Sequence, residues 1–167
     1  MKLRSRITIG TLGFLLISLT LCCTLMICVS KKNMLNSTTS YTKTELEKLV
    51  ANFYTNKSDI ESTVEELTAE TKLKYYFFKQ TQYSDSDTEY VLQCGDEIIY
   101  NDSGLDAPTI LGLNEDKSNI EIQGETKSDI VHTEGVDYYI CGVDININDR
   151  IYQVCIVRDI TELYRQI

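Results

Sequence analysis

Six cysteines and a single histidine are the side chains of this 167-residue sequence best suited to chemistry. Cys22, Cys23 and Cys28 lie in an apolar run, where they act as small hydrophobic residues. His132 has neither a second histidine nor a close cysteine pair beside it, so the sequence predicts no metal site and no cofactor. A catalytic cysteine would need His132 as its general base, which makes that role the least favoured. The sequence predicts no catalytic residues in this chain.

Cys94, Cys141 and Cys155 lie outside the apolar run. A tight turn between two long strands would place Cys141 opposite Cys155 and close a loop of about 15 residues, and such a disulfide contributes up to ~3 kcal/mol. Three buried free thiols fit the sequence equally well, because an odd number leaves one cysteine without a partner. The sequence therefore leaves both states open for Cys141 and Cys155, a disulfide and a pair of free thiols.

Tyr139 and Arg158 are the candidate ligand-binding residues. They are chosen because a tyrosine hydroxyl and a guanidinium often fix small anionic ligands. The alternative roles are core packing for Tyr139 and a membrane-adjacent ion pair for Arg158.

Charge is distributed unevenly along the chain. Residues 1–32 carry five cations and no acid, whereas residues 33–167 carry 11 cations and 25 acids, a net charge of −14. So acidic a surface repels phosphate backbones, and this argues against binding to nucleic acid.

A run of 23 uncharged residues, 7–29, predicts a transmembrane helix, because it would be ~34 Å long as a helix. It is too long for the apolar core of a signal peptide and lacks a small-x-small cleavage site. The preceding cations place residues 1–6 in the cytoplasm and everything from residue 30 outside the plasma membrane.

The remaining sequence predicts an α+β fold. A capping box at Thr42–Glu45 and apolar residues at helical spacing predict one amphipathic helix, or two in tandem, over about 42–70. Strands are predicted at 72–80, 89–94, 97–100, 136–145 and 150–158, with a short one at 119–123. Together they predict an antiparallel sheet of about five strands, with a helix against one face and loops against the other.

The segments Tyr138–Ile140 and Ile151–Tyr164 resemble the end of the extracytoplasmic PAS-like or Cache sensor domain of bacterial two-component histidine kinases. In that family an apolar strand leads through Arg-Asp-Ile-Thr, here Arg158–Thr161, towards a second membrane helix. Gly95–Asn101 looks like a mid-sheet strand of these domains. The resemblance implies a PAS-like domain over 30–160, with 161–167 beginning the connection to that second helix.

The resemblance also implies a function. It implies a homodimer that senses a small-molecule or peptide signal at the sheet face under residues 101–135 and relays it across the membrane to a response regulator. The kinase part of such a protein would lie outside these 167 residues, so the sequence is expected to be an N-terminal portion.

One alternative is a single-pass binding or pilin-like structural protein. Gly13-Phe14 resembles a type IV pilin processing site, but Ser18 stands where those proteins usually carry Glu.

Overall fold

The computed structural model describes residues 3–58, 66–82, 87–113, 124–147 and 149–165. In these ranges lie four helices and five strands: α1 (Leu3–Thr55), α2 (Glu66–Thr81), β1 (Thr88–Cys94), β2 (Glu97–Asn101), α3 (Ala107–Ile110), β3 (Lys127–Thr133), β4 (Val136–Ile147), β5 (Arg150–Asp159) and α4 (Thr161–Arg165). The predicted α+β class with an antiparallel sheet of about five strands is confirmed.

The chain divides into two compact units, Met1–Thr38 and Thr39–Ile167. The described part of the first unit is helical and exposes large apolar side chains from Ile9 to Val29. Helix α1 is long and apolar enough to cross a membrane. The polar stretch 33–40 continues the helix.

The second unit is built on a five-stranded sheet of order β2-β1-β5-β4-β3. All four neighbouring pairs are antiparallel. Strands β4 and β5 form a hairpin, as predicted, and Asp149 in its turn adopts φ 59°, a left-handed conformation that Asp and Asn adopt more readily than most residues. Because β5 lies in the centre of the sheet, Tyr152–Val157 is buried throughout.

Helices α1 and α2 cover one side of the sheet, which we call the helix face. The helical spacing predicted over about 42–70 is confirmed for Leu46, Leu49, Val50 and Phe53, which are all buried, whereas residues 59–65 lie outside the described part of the chain. Their spacing of three and four residues places them on one side of the helix. The predicted capping box is wrong, since Thr42 and Glu45 lie inside α1 rather than at its start.

The predicted strand at 72–80 is wrong, because that segment belongs to helix α2. Its aromatic residues suggest a strand. Leu73 and Phe77, however, are spaced one helical turn apart and are both fully buried. Phe77 packs its ring against Phe53 and, edge-on, against Tyr90 and Tyr100. Burial of this i, i+4 pair therefore outweighs local propensity.

Helix α3 and the residues after it cover the opposite side, which we call the loop face. Its core is a cluster of buried residues: Val91, Ala107, Leu111, Leu113, Ile140, Cys155 and Val157. Gly142 leaves no spare room here, since a Cβ atom at this position would lie 2.6 Å from Cys155 Sγ and 2.9 Å from Cδ1 of both Leu111 and Leu113.

The segment between β2 and β4 differs from the sequence prediction. Strand β3 was not predicted, because most of its side chains are exposed and its pattern is polar. The short strand predicted at 119–123 lies outside the described residues.

Candidate functional site

The two candidate ligand-binding residues lie side by side on the helix face. Tyr139 of β4 and Arg158 of β5 are direct cross-strand partners. The Arg158 guanidinium carbon lies 5.2 Å from the centroid of the Tyr41 ring of α1, within the range of a cation–π contact. Tyr139 is buried, and burial raises the pKa of its phenol while the Ser128 hydroxyl lowers it.

The register does not bring Cys141 and Cys155 together. Cys141 lies opposite Ile156, and Cys155 lies opposite Gly142. The two side chains therefore point to opposite faces, because neighbouring positions alternate across a sheet. Cys141 donates a weak hydrogen bond to the Thr42 carbonyl oxygen (S···O 3.8 Å), whereas Cys155 packs into the loop-face core. Both are free thiols, and burial raises the pKa of Cys141 to about 12.

A cavity of about 250 Å³ opens between helix α1 and strand β1, next to Tyr41. Leu49 and Tyr90 are buried and form its floor. Tyr41 and Lys48 are exposed at its mouth. The remaining lining residues are Thr44, Glu45 and Asn52. The volume corresponds to that of about eight water molecules.

Tyr90 is the fixed wall of this cavity. Its backbone N–H donates to Asp102 Oδ1 at 2.5 Å, and its ring contacts Phe77 edge-on with a centroid separation of 5.9 Å. Its hydroxyl donates to Glu45 Oε1 at 2.5 Å. These contacts hold the Tyr90 side chain from both ends, so the phenol can orient the Glu45 carboxylate.

The second oxygen of Glu45 has an unusual environment. Within the part of the chain that the structure describes, Oε2 is buried and has no hydrogen-bond partner. A buried acceptor left without a donor costs about 1–3 kcal/mol, and more when it is charged. Glu45 thus lines the cavity, but its Oε2 atom is not accessible from it.

A second, more open cleft of about 490 Å³ lies near Ile110, Leu111 and residues 125–129. It falls within the region 101–135 where the sequence suggested a ligand. Lys127 at this cleft already donates to the Gly112 carbonyl oxygen. Tyr139 and Arg158 lie on the opposite face of the sheet. The candidate ligand-binding residues are therefore separated from the region 101–135 in which the ligand was expected.

His132 lies at the β3–β4 hairpin, where its Nδ1 is 2.8 Å from Asp137 Oδ1. Its side chain is 69% exposed, which fits a surface contact. Among the described residues, no group of three or more His, Cys, Asp or Glu side chains is arranged to hold a metal ion.

Sequence reasoning missed the cavity and its carboxylate. Glu45 was assigned to a helix cap, so its position one turn before buried Leu49 was not used. A carboxylate at the border of a buried apolar stripe is the signal that could have identified it, because such a group needs a partner. Tyr90 gave no signal, since aromatic residues are common in strands.

Comparison with known proteins gives this chain no family. No protein-family model matches the sequence, and neither does any curated protein.

Proposed function

We propose that this chain is a membrane-anchored extracytoplasmic sensing module, the input part of a two-component histidine kinase. The observation that carries the proposal is the antiparallel five-stranded sheet, in the order β2-β1-β5-β4-β3, which fits the sheet of about five strands that the resemblance to PAS-like sensor domains implies. In the same chain the sheet follows a helix that is long and apolar enough to cross a membrane. Helices on one face and loops on the other also fit the α+β arrangement that the sequence pattern predicts.

The charges support an orientation. Residues 1–6 carry three cations and no acid, and positively charged flanks tend to stay on the cytoplasmic side. The acidic sheet unit then lies outside the plasma membrane.

Helix α1 is the element through which binding would act. Six of the seven residues that line the cavity belong to α1, whose N-terminal part is the apolar stretch, and the seventh is Tyr90 of β1. A ligand in the cavity shifts α1 between two arrangements only if it binds one of them more tightly. The partner would be a second copy of the chain, and the output would pass to a response regulator.

Labelling of the full chain in intact cells tests the orientation. The background has the α1 cysteines and Cys94 replaced by serine. A membrane-impermeant maleimide should label Asp96→Cys, in the exposed β1–β2 turn, before lysis. It should label the matched variant Ser5→Cys only after lysis. The reverse pattern, or labelling of both before lysis, would overturn the proposal.

Cross-linking tests the relay. Asn33→Cys lies on the exposed surface of α1 beyond the apolar run, where two copies of the helix would meet in a dimer. Added ligand should change the rate at which this variant forms a disulfide between copies. A rate that stays the same at saturating ligand would contradict the relay.

Two direct readouts test the kinase assignment and its rival. The coding sequence after the Ile167 codon should specify a second apolar helix and a histidine-containing dimerisation helix. A different output domain there would remove the kinase but leave the sensor. A mature N-terminus at Phe14 would instead indicate processing of the pilin type.

A further inference from the structure

We propose that the outer edge of strand β3 binds an extended basic peptide, which adds to the sheet as a further strand. This proposal goes beyond the sensing function, because it assigns an interaction surface that is separate from the cavity between α1 and β1. Strand β3 ends the sheet order β2-β1-β5-β4-β3, and among the described strands it pairs with β4 alone. The backbone groups on such an edge are a template for pairing with another chain.

The register determines which backbone groups of β3 face outwards. The Asp144 carbonyl oxygen of β4 accepts the Gly124 N–H, so the even-numbered residues of β4 direct their backbone groups towards β3. Their partners in β3 are its odd-numbered residues. The N–H and C=O groups of the even-numbered residues of β3 therefore point away from the sheet: Ser128, Ile130 and His132.

This outer edge is accessible to a partner. Residues 127–130 are all exposed, and Ile130 is 40% exposed. The Ile130 N–H donates to Asp129 Oδ1 at 2.8 Å, so a neighbouring side chain occupies the place that a paired strand would take. A peptide carbonyl oxygen can replace this carboxylate as the acceptor, because Asp129 is itself exposed and can turn away.

A cleft beside the edge provides room for side chains of the added strand. This cleft of about 490 Å³ is lined by residues 125–129 together with Ile110 and Leu111. Ile110 is 39% exposed, so it offers an apolar contact to a bound side chain. Successive side chains of a strand point to opposite faces, so those that do not enter the cleft would lie beside Ile130 on the helix face.

The charges around the cleft select a basic peptide. Two acidic residues, Glu125 and Asp129, line it together with one cation, Lys127. The Lys127 ammonium already donates to the Gly112 carbonyl oxygen. Residues 33–167 have a net charge of −14, which attracts cationic peptides and repels acidic ones. A basic side chain opposite Asp129 would pair with the carboxylate that the Ile130 N–H releases.

Fluorescence anisotropy with the full chain in detergent tests the proposal. The probe is an end-labelled peptide of about six residues in which lysine and valine alternate. One control peptide has glutamate in place of lysine, and a second keeps every side chain but has all its backbone nitrogens methylated. We expect the lysine peptide to bind with a dissociation constant of at most about 200 µM, and both controls to bind at least about tenfold more weakly.

Two variants at one position locate the binding site. Ser128→Pro removes an outward N–H and leaves the bonds between β3 and β4 in place, and proline is tolerated at such edge positions. It should weaken the binding of the lysine peptide by at least about tenfold, since one hydrogen bond is lost and the ring occupies the place of the peptide. The matched control Ser128→Ala also loses the hydroxyl but keeps the N–H, so it should bind as tightly as the unchanged protein.

Four results would overturn the proposal. They are equal binding of the lysine and glutamate peptides, equal binding of the lysine peptide and its methylated form, equal effects of the two Ser128 variants, and no binding at about 200 µM of the chain. The methylated peptide keeps the test valid if Ser128→Pro fails to fold. If no peptide binds but Ser128→Pro alone lowers self-association, the edge is instead a contact between two copies and the proposal is wrong.

The two proposals fail separately. If the lysine peptide does not bind but Asp96→Cys is labelled from outside, only the peptide site is wrong. If Asp96→Cys is protected in intact cells, the sensing function fails whatever the titration gives.

Discussion

The helix face and the loop face of the sheet are both buried, but by different means. On the helix face, aromatic rings such as Phe77 and Tyr90 meet at centroid separations of 5–6 Å, and polar groups such as Glu45 lie among them. On the loop face, aliphatic side chains pack against a glycine that has no room for a methyl group.

This difference indicates a division of roles. A region packed to the limit resists change, because each added or removed atom is felt by its neighbours. A region with a cavity and incompletely paired polar groups can accommodate a ligand. We therefore expect the buried core of the loop face to be rigid and the helix face to be the more adaptable of the two.

Removal of the Phe77 ring should disrupt the packing of the helix face and cause the largest loss of stability. Phe77→Ala deletes a fully buried ring that contacts Phe53, Tyr90 and Tyr100, so the free energy of unfolding should fall by about 3–5 kcal/mol. Urea unfolding of the full chain in detergent measures this loss. Phe78→Ala is the matched control, because its ring lies on the same helix but is 52% exposed. Similar losses for both variants would contradict the assigned packing of α2.

Gly142→Ala should disrupt the packing of the loop face, because the added methyl group has no room there. The added methyl would lie 2.6 Å from Cys155 Sγ, so we expect a loss of about 1–3 kcal/mol in the free energy of unfolding. Cys155→Ala in the same chain should restore part of this loss, because it removes one of the clashing atoms. Gly124→Ala is the milder control, since its methyl would come no closer than 3.3 Å to Asp144 Cβ. A neutral Gly142→Ala would show that the loop face is not tightly packed.

The ion pair between α2 and the β4–β5 turn should contribute less. Arg150 Nη1 lies 2.7 Å from Glu70 Oε1, and the two side chains are 39% and 20% exposed. A double-mutant cycle with Glu70→Gln and Arg150→Met should therefore give a coupling energy of only about 0.2–1 kcal/mol. The coupling should shrink further at high salt. A salt-independent coupling would mean that the pair is more deeply buried than the structure shows.

The smallest effect concerns Glu89, at the rim of the loop face. Burial raises its pKa, and the nearby Asp102 and Asp159 carboxylates raise it further. The folded state therefore favours protonated Glu89. The stability that this protonation contributes is fully present below the ordinary pKa of Glu and is lost as the pH rises through the raised pKa of Glu89. Glu89→Gln should stabilise the protein at pH 7 by up to about 0.5 kcal/mol. Thermal unfolding at pH 7 and pH 4 checks this, and a gain that persists at pH 4 would contradict the cause.

The fold could be read from the sequence where one pattern dominated. The buried stripe from Leu46 to Phe53 has only a helical period, and β4 and β5 are long and rich in branched and aromatic residues. Helix α2 could not be read this way, since Tyr75, Tyr76 and Phe78 suggest a strand while only Leu73 and Phe77 are fully buried. Which of these side chains meets the sheet is decided by tertiary contacts rather than by local sequence.

The site was less predictable than the fold. Tyr139 and Arg158 were chosen for their chemistry, and the register places them together, yet neither lines the cavity. The bond between Tyr90 and Glu45 joins residues 45 positions apart. No local pattern encodes such a contact. The face to which Cys155 points depends on the strand register, because a shift of one residue would turn every side chain of the strand to the other face of the sheet.

The strand order has a consequence for how the protein folds during synthesis. Strand β1 pairs with β5 through residues 58 to 70 positions later in the chain, whereas β1–β2 and β4–β5 are local hairpins. The central strand of the sheet is thus the last described strand to be made. Until it arrives, the apolar edge of β1 at Val91 and Leu92 has no partner, which is a hazard for aggregation. We expect the nascent chain to need protection by a chaperone over this interval, and closure of the β1–β5 pair to limit its folding rate.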